Sequence, residues 1–251
     1  MLTSKAQSII EHMLWLLAQE HGVAFMPRPL DFSPSCHNLW VGAGDAARVV
    51  DRADRAHRYA GFGAWFLRRY TRHVYYYFDA LSADEQDCHS TAGELFNLNV
   101  LAAVAGPRMN SPAAAGRDHA VTALEPYTLV SACDNHSAGA DSANSSHASS
   151  SEQRTLIRQR TKILRHEGLR APCVHVARQH LPIKAADDLS RALDTDFRAK
   201  LRCLFDDPHL HFERINIPAA ARGALLEARA AGRYTARLRG ERGEPSASTV
   251  Y

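Results

Sequence analysis

No apolar run in this chain comes close to the ~20 residues that a helix needs to cross a bilayer. The longest, MLWLLA and LNVLAAVAG, stop well short of it, so no membrane span is expected. The five cysteines include no CxxC pair, and their odd number does not suit a disulfide framework; a reducing compartment such as the cytoplasm is the expected setting. Lysine is scarce, confined to positions 5, 162, 184 and 200, and the other basic residues are all arginine. With a net charge of +3 the chain is too weakly basic for charge alone to imply a nucleic-acid partner. The usual phosphate and hydrolase signatures are also missing: no G-x-x-x-x-G-K-[ST], no G-x-G-x-x-G after a strand, no G-x-S-x-G elbow and no H-E-x-x-H.

What is present is the composition of a globular protein, 45% hydrophobic and 23% charged over 251 residues, enough to bury one large core or two small ones. The first residues read as a folded helix and not a signal peptide, because Glu11, His12, Gln19 and Glu20 break the apolar run. Ser4 and Gln7 form a capping box, Ile9, Ile10, Met13, Leu14, Leu16 and Leu17 recur at helical spacing, and Gly22 ends the helix. A loop follows with a brief strand at residues 38–41, and then VGAGDAA reads as a Gly-rich turn into a second helix capped by Asp45 and running to Arg58. Asp45 at such a cap would repel a phosphate, so the turn is not expected to hold an anion. AWFLRRYTRHVYYYFDAL reads as strand, with aromatics alternating between core and surface.

From His136 to Ser151 the chain becomes HSAGADSANSSHASSS, which cannot bury apolar area and reads as a flexible loop or linker. Beyond it, Ser150 and Gln153 make another capping box, opening a basic amphipathic helix. PCVHVAR reads as a strand, residues 189–204 as a helix, HLHFERINIP as a strand, and AAARGALLEARAAGRY as a last helix before a mobile tail from Gly240. The expected architecture is α+β, with several helices packed on short mixed or antiparallel strands and a disordered Ser-rich insertion. Its parts are 1–135, the insertion 136–151, a C-terminal part 152–240 that either stands alone or joins the first as one domain, and a tail 241–251.

Cysteine and histidine recur as neighbours, at Cys36 and His37, Cys88 and His89, Cys133 and His136, Cys173 and His175, and Cys203 with His209 and His211. None of these supplies two ligand pairs at zinc-finger spacing, so no metal is expected. A nucleophilic Cys36 or Cys133 served by a distant histidine stays open.

HLHFERINIP, a strand with the lone acid Glu213 that runs into aliphatics and proline, resembles the last motif of the ADP-ribosyltransferase fold. NLWVG resembles that family's early strand, and HSTAG at 89–93 its Ser-Thr-Ser strand, although the arginine or histidine expected beside Gly42 is absent. The resemblance implies NAD as co-substrate and ADP-ribosyl transfer to a protein target by an effector-like or toxin-like enzyme, in the cytoplasm or delivered into a host cytosol. Glu213 would stabilise the ribosyl cation. Ser90 and Thr91 would support the cofactor, Trp40 and Gly42 would line its site, and His211 would contact a ribose hydroxyl. The alternative is a non-catalytic regulatory or interaction protein, bacterial or viral, binding partners or nucleic acid through Arg-rich helices at 48–72 and 154–165.

Overall fold

The computed structural model describes residues 39–50, 58–68, 71–86, 88–109, 127–143, 150–192 and 194–241. The expected N-terminal helix, the loop after it and the terminal tail beyond residue 241 lie outside the described residues.

Seven strands form one mixed sheet. β1 (Leu39–Val50), β2 (Arg58–Arg68) and β3 (His73–Ala80) make an antiparallel meander. β4 (Tyr127–Cys133) lies parallel to β1 on the other side. The β4 edge then carries β5 (Leu169–Arg170) and β6 (Cys173–His175), both parallel to it, and β7 (His211–Arg214) runs parallel to β3 at the opposite edge. Strands from both sides of the Ser-rich segment thus join the same sheet. The helices among the described residues are α1 (Ala83–Gln86), α2 (Ser90–Met109), α3 (His136–Ala143), α4 (Ser151–His166), α5 (Leu181–Ser190), α6 (Asp194–Phe205) and α7 (Ala219–Glu241). The α+β class read from the sequence is the class observed.

Each face of the sheet buries its own core. Trp40, Phe62, Phe66 and Tyr77 point to one side, where α2 lies, with Leu156 of α4 and Leu225 of α7 packed on the same cluster. Leu39, Val41, Trp65 and Tyr76 point to the other, under Ile183 and Leu189 of α5 and Phe197 and Leu201 of α6. This alternation is the period-2 rule of strands at work. α2 is buried nearly all round, as expected of a helix apolar on every face and sandwiched between the sheet and other helices. Glycines permit the close approach of both layers. A Cβ on Gly44 would lie 2.7 Å from the Asn97 amide nitrogen of α2, and one on Gly63 would lie 2.6 Å from the Leu189 Cβ of α5.

Three corrections to the sequence reading follow. Asp45 does not cap a helix: VGAGDAA is uninterrupted strand, because pairing with β2 along the whole stretch, and with β4 as far as Ala43, overrides the helix propensity of the alanines. The segment starting at His136 opens as α3, with the Asn135 side chain accepting from the Ala138 N–H, and only 144–149 lie outside the described residues. The helix expected over 189–204 is two, α5 and α6, broken around Ala192, whose φ is +60°. The capping box of α4 is present as read, with Ser150 Oγ accepting from Gln153 N–H and Gln153 Oε1 accepting from Ser150 N–H.

Candidate metal centre

β1 and β4 are parallel neighbours in register from Leu39 opposite Thr128 to Ala43 opposite Ala132. Two residues further along, that register sets Asp45 level with Asp134, the first residue beyond β4. Glu94, in the second turn of α2, reaches the same spot from the helix layer. The carboxylate oxygens of Asp45, Glu94 and Asp134 lie within 4.8 Å of one another. The position is the carboxyl end of a parallel strand pair, where α/β sheets tend to place ligand sites.

Two of the three acids are out of water: Asp45 is 3% exposed and Glu94 is 4% exposed. The Ser190 hydroxyl of α5 donates to Asp45 Oδ2 at 2.6 Å. The Ala46 N–H donates to Glu94 Oε1 at 3.1 Å. Glu94 Oε2 is buried with no partner. Burial raises the Asp45 carboxyl to about 6, against the Ser190 hydrogen bond and with the Asp134 charge. Burial, then the Asp45 charge, pushes Glu94 well above the usual carboxylate range. Arg178 stands at the rim, its guanidinium 3.9 Å from Asp134 and 2.5 Å from Asp187, and Arg191 also pairs with Asp187 at 2.9 Å. Asn97 holds the strand carrying Asp45 in place: its amide donates to the Asp45 and Gly63 carbonyls at 3.0 and 2.9 Å, and it accepts from the Tyr77 hydroxyl at 2.8 Å.

Bringing three carboxyl groups together out of water disfavours their charged forms, which is why Asp45 and Glu94 hold their protons so tightly, and a bound cation would reverse that preference. The donor set is all oxygen, which suits a hard divalent cation such as Mg²⁺ or Mn²⁺. The residues present therefore fit such an ion. The sequence reading expects no metal because its Cys–His neighbours lack zinc-finger spacing, and it does not weigh Asp45, Glu94 and Asp134, which lie in distant segments. The one local signal was an aspartate directly after the strand-like run YTLVSAC.

The residues singled out in the sequence fall elsewhere. Glu213, on edge strand β7, accepts from Arg108 Nη1 at 2.6 Å and pairs with the His73 ring at 3.0 Å, with its side chain 38% exposed. Trp40 is buried on β1, its ring 6.1 Å from that of Tyr75, the register partner of Glu213, so these two share a neighbourhood. Gly42 lies against β2, where a Cβ would meet the Trp65 carbonyl oxygen at 2.5 Å. His211 is exposed at the edge, opposite His73. Ser90 and Thr91 open α2, while Arg108, the partner of Glu213, sits in its last turn. At 1.5 Å per residue the two ends of that helix are ~27 Å apart. Glu213 and the Ser90–Thr91 pair do not meet.

No family model and no curated protein matches this sequence. Among solved structures, the chain is similar to LC9-RNase H1, described as a type 1 RNase H with the type 2 active-site motif, at 9% identity, covering 73% of this chain and 90% of that one with a TM-score of 0.40. That neighbour is an RNase H, not an ADP-ribosyltransferase. The resemblance read from the sequence is corrected by the local geometry: Ser90 to Gly93 are the first turn of a helix and not a strand, and Glu213 pairs with Arg108 and His73 away from them. ADP-ribosyl transfer, with the effector or toxin role attached to it, falls with that resemblance, which was also the sole basis for NAD. At this identity and TM-score the likeness is loose, and the chemistry rests on the three carboxylates. No helix among the described residues is long and apolar enough to cross a membrane.

Proposed function

We propose that this chain is a divalent-cation-dependent hydrolase of phosphodiester bonds in nucleic acid. The observation that carries the reading is the convergence of Asp45, Glu94 and Asp134, which bring a carboxylate oxygen each within 4.8 Å of the others while Glu94 Oε2 is buried without a partner. A group that costly to bury is retained where a ligand completes it, and the oxygen-only set points to Mg²⁺ or Mn²⁺. A cation bound by these acids would polarise a phosphoryl oxygen and lower the pKa of a coordinated water.

The chain's own residues do the rest. Asp45 and Glu94 would supply carboxylate oxygens to the cation, the first held in place by the Ser190 hydroxyl and the second by the Ala46 N–H. Asp134, whose side chain is 18% exposed, is the member of the set open to solvent and therefore to substrate. Arg178, 58% exposed beside it, supplies a guanidinium suited to a phosphate oxygen. In the reaction a water oxygen attacks phosphorus, the bond to the leaving oxygen breaks, and that oxygen takes up a proton. The basic side of α4, with Arg158, Lys162 and Arg165 exposed, gives a surface for a phosphate backbone. Of the two Arg-rich helices expected from the sequence, only this one is a helix; the described part of 48–72 is strand and a short bend.

The test is cleavage of end-labelled DNA, RNA and RNA–DNA hybrid in Mg²⁺ and in Mn²⁺, with Asp45→Asn and Glu94→Gln as controls and Mn²⁺ binding followed by calorimetry. Cation-dependent cleavage lost in both variants supports the reading. Mn²⁺ binding without cleavage of any of the three removes the substrate class, and no Mn²⁺ binding removes the site.

A further inference from the structure

The residue before Asp134 is Cys133, and its thiol does not point into the acidic cluster. It meets Cys173 of β6, with the two sulfurs 3.3 Å apart. The strand register explains the meeting: Cys133 stands opposite His175, two residues from Cys173 on the same face of the parallel pair. Both thiols are buried, at 0% and 4% exposure, in a small cluster with Leu98 of α2. α3 closes over them through Gly139, whose Cβ would lie 3.7 Å from one sulfur and 4.0 Å from the other.

A buried cation faces the same pair. Arg160 of α4 is 2% exposed; its guanidinium donates to the Leu98 carbonyl at 3.0 Å and the Ala171 carbonyl at 2.6 Å, and its Nε has no partner. Among the described residues, the acidic groups acting on it are the Cys173 and Cys133 thiols. A guanidinium this deep calls for a nearby anion, and ionisation of the Cys173 thiol would supply one. The hydrogen bond shared with Cys133 and, against burial, the Arg160 charge hold the Cys173 thiol below its ordinary range. Two sulfurs in contact, beside a buried positive charge, are placed to act as attacking and resolving thiols toward an oxidant small enough to reach them.

We propose that Cys133 and Cys173 form an oxidisable dithiol that a hydroperoxide converts to a disulfide, pulling on the backbone that carries Asp134. The Cys173 sulfur attacks the peroxide, the O–O bond breaks and an S–O bond forms, giving a sulfenic acid and releasing an alcohol, or water from hydrogen peroxide. The Cys133 sulfur then displaces the hydroxyl, the S–S bond forms, and hydroxide leaves as water with the thiol proton. The pair loses two electrons and the peroxide gains them. Closing 3.3 Å to the ~2.05 Å of a disulfide shifts the end of β4 by an ångström or so, shared between the two strands. The dithiol stands on its own geometry; its effect on Asp134 rests on the proposed metal centre.

The experiment uses the full chain, reduced and then exposed to a small excess of hydrogen peroxide, followed by alkylation, digestion and mass mapping. A linked peptide joining Cys133 to Cys173, two hydrogens lighter than the separate thiols and reversed by dithiothreitol, is expected. Peroxide-treated folded protein with both thiols still free to alkylation, while the exposed Cys203 is oxidised, overturns the proposal. The same samples are titrated with Mn²⁺, and oxidation is expected to weaken binding by roughly tenfold or more, as disturbed supporting contacts at metal sites do. A Cys173→Ala variant is expected to bind Mn²⁺ equally before and after peroxide. Disulfide formation with unchanged Mn²⁺ affinity overturns the coupling to Asp134. A reduced protein that binds no Mn²⁺ overturns the metal centre and the coupling together, while the linked peptide still decides the dithiol.

Discussion

Glu94 and Ala46 are joined by a single hydrogen bond, the Ala46 N–H donating to Oε1 at 3.1 Å, and this tie turns the helix carboxylate toward β1 beside Asp45. The other oxygen is left buried and unmatched. Much of the protein's expected response to pH, cations and mutation follows from that half-satisfied group.

Stability of the cation-free protein should fall as pH rises. Asp45 goes from an ordinary value of 3.8 to about 6 in the fold, chiefly through burial. The folded state thus binds that proton more tightly than the unfolded chain does, and the associated stability is present below about 4 and lost as pH passes through about 6. The shift corresponds to roughly 3 kcal/mol for Asp45 alone, and Glu94, raised further, extends the decline to higher pH. In urea melts without divalent cation, Asp45→Asn is expected to be more stable than the parent at pH 8 and no more stable at pH 4. Parallel stability curves for the two proteins would remove the pKa argument.

Adding Mg²⁺ or Mn²⁺ should reverse that decline. A ligand bound only by the folded state adds about 2.7 kcal/mol at a hundred times its Kd, so the melting temperature at pH 8 should climb with cation concentration. Glu94→Gln keeps the shape but removes a carboxyl group that the cation would ionise, and its melting temperature should respond far less. Equal cation responses in parent and variant would place the binding elsewhere on the molecule.

The extent to which this was legible in the sequence differs between fold and site. The α4 capping box, the β6 strand and the β7 strand depend on neighbouring residues; the structure has the box as read and both strands, each shorter than the stretch read for it. β1 is legible only in its first half, because the alanines and arginine from Asp45 onward favour a helix until β2 pairs with them, β4 joining only from Leu39 to Ala43. The metal centre is barely legible, its one local trace being the aspartate that follows YTLVSAC. Its acids come from a strand, a helix and a strand end, and what unites them is the register of β1 with β4 and the packing of α2, neither of which leaves a local motif.

Asn97 should be among the costliest polar positions to alter. Its amide satisfies the Asp45 and Gly63 carbonyls and it accepts from the Tyr77 hydroxyl, all in the buried layer between sheet and α2. Asn97→Ala strands these groups and is expected to cost on the order of 3 kcal/mol in denaturant melts. A second test uses the close approach to Gly44, where a Cβ would sit 2.7 Å from the Asn97 amide nitrogen. Gly44→Ala should be markedly less harmful in the Asn97→Ala background than in the parent, a non-additivity that marks direct contact. Strictly additive effects would show that the two residues do not limit each other.

Glu213→Gln separates the acid that stands out in the sequence from those that the fold assembles. Glu213 has two partners, Arg108 and His73, at a sheet edge where its side chain is 38% exposed. Water and salt screen such a pair, so its loss should cost about 0.5 kcal/mol, and less as ionic strength rises. Arg108 is tied to the C-terminal turn of α2, whereas Glu94 lies near the N-terminal end, so the substitution leaves the acidic cluster untouched. Mn²⁺ affinity and nucleic-acid cleavage should therefore match the parent, while Glu94→Gln loses both. A Glu213→Gln protein that folds, binds Mn²⁺ and yet fails to cleave would move the chemistry to the β7 edge and away from Asp45, Glu94 and Asp134.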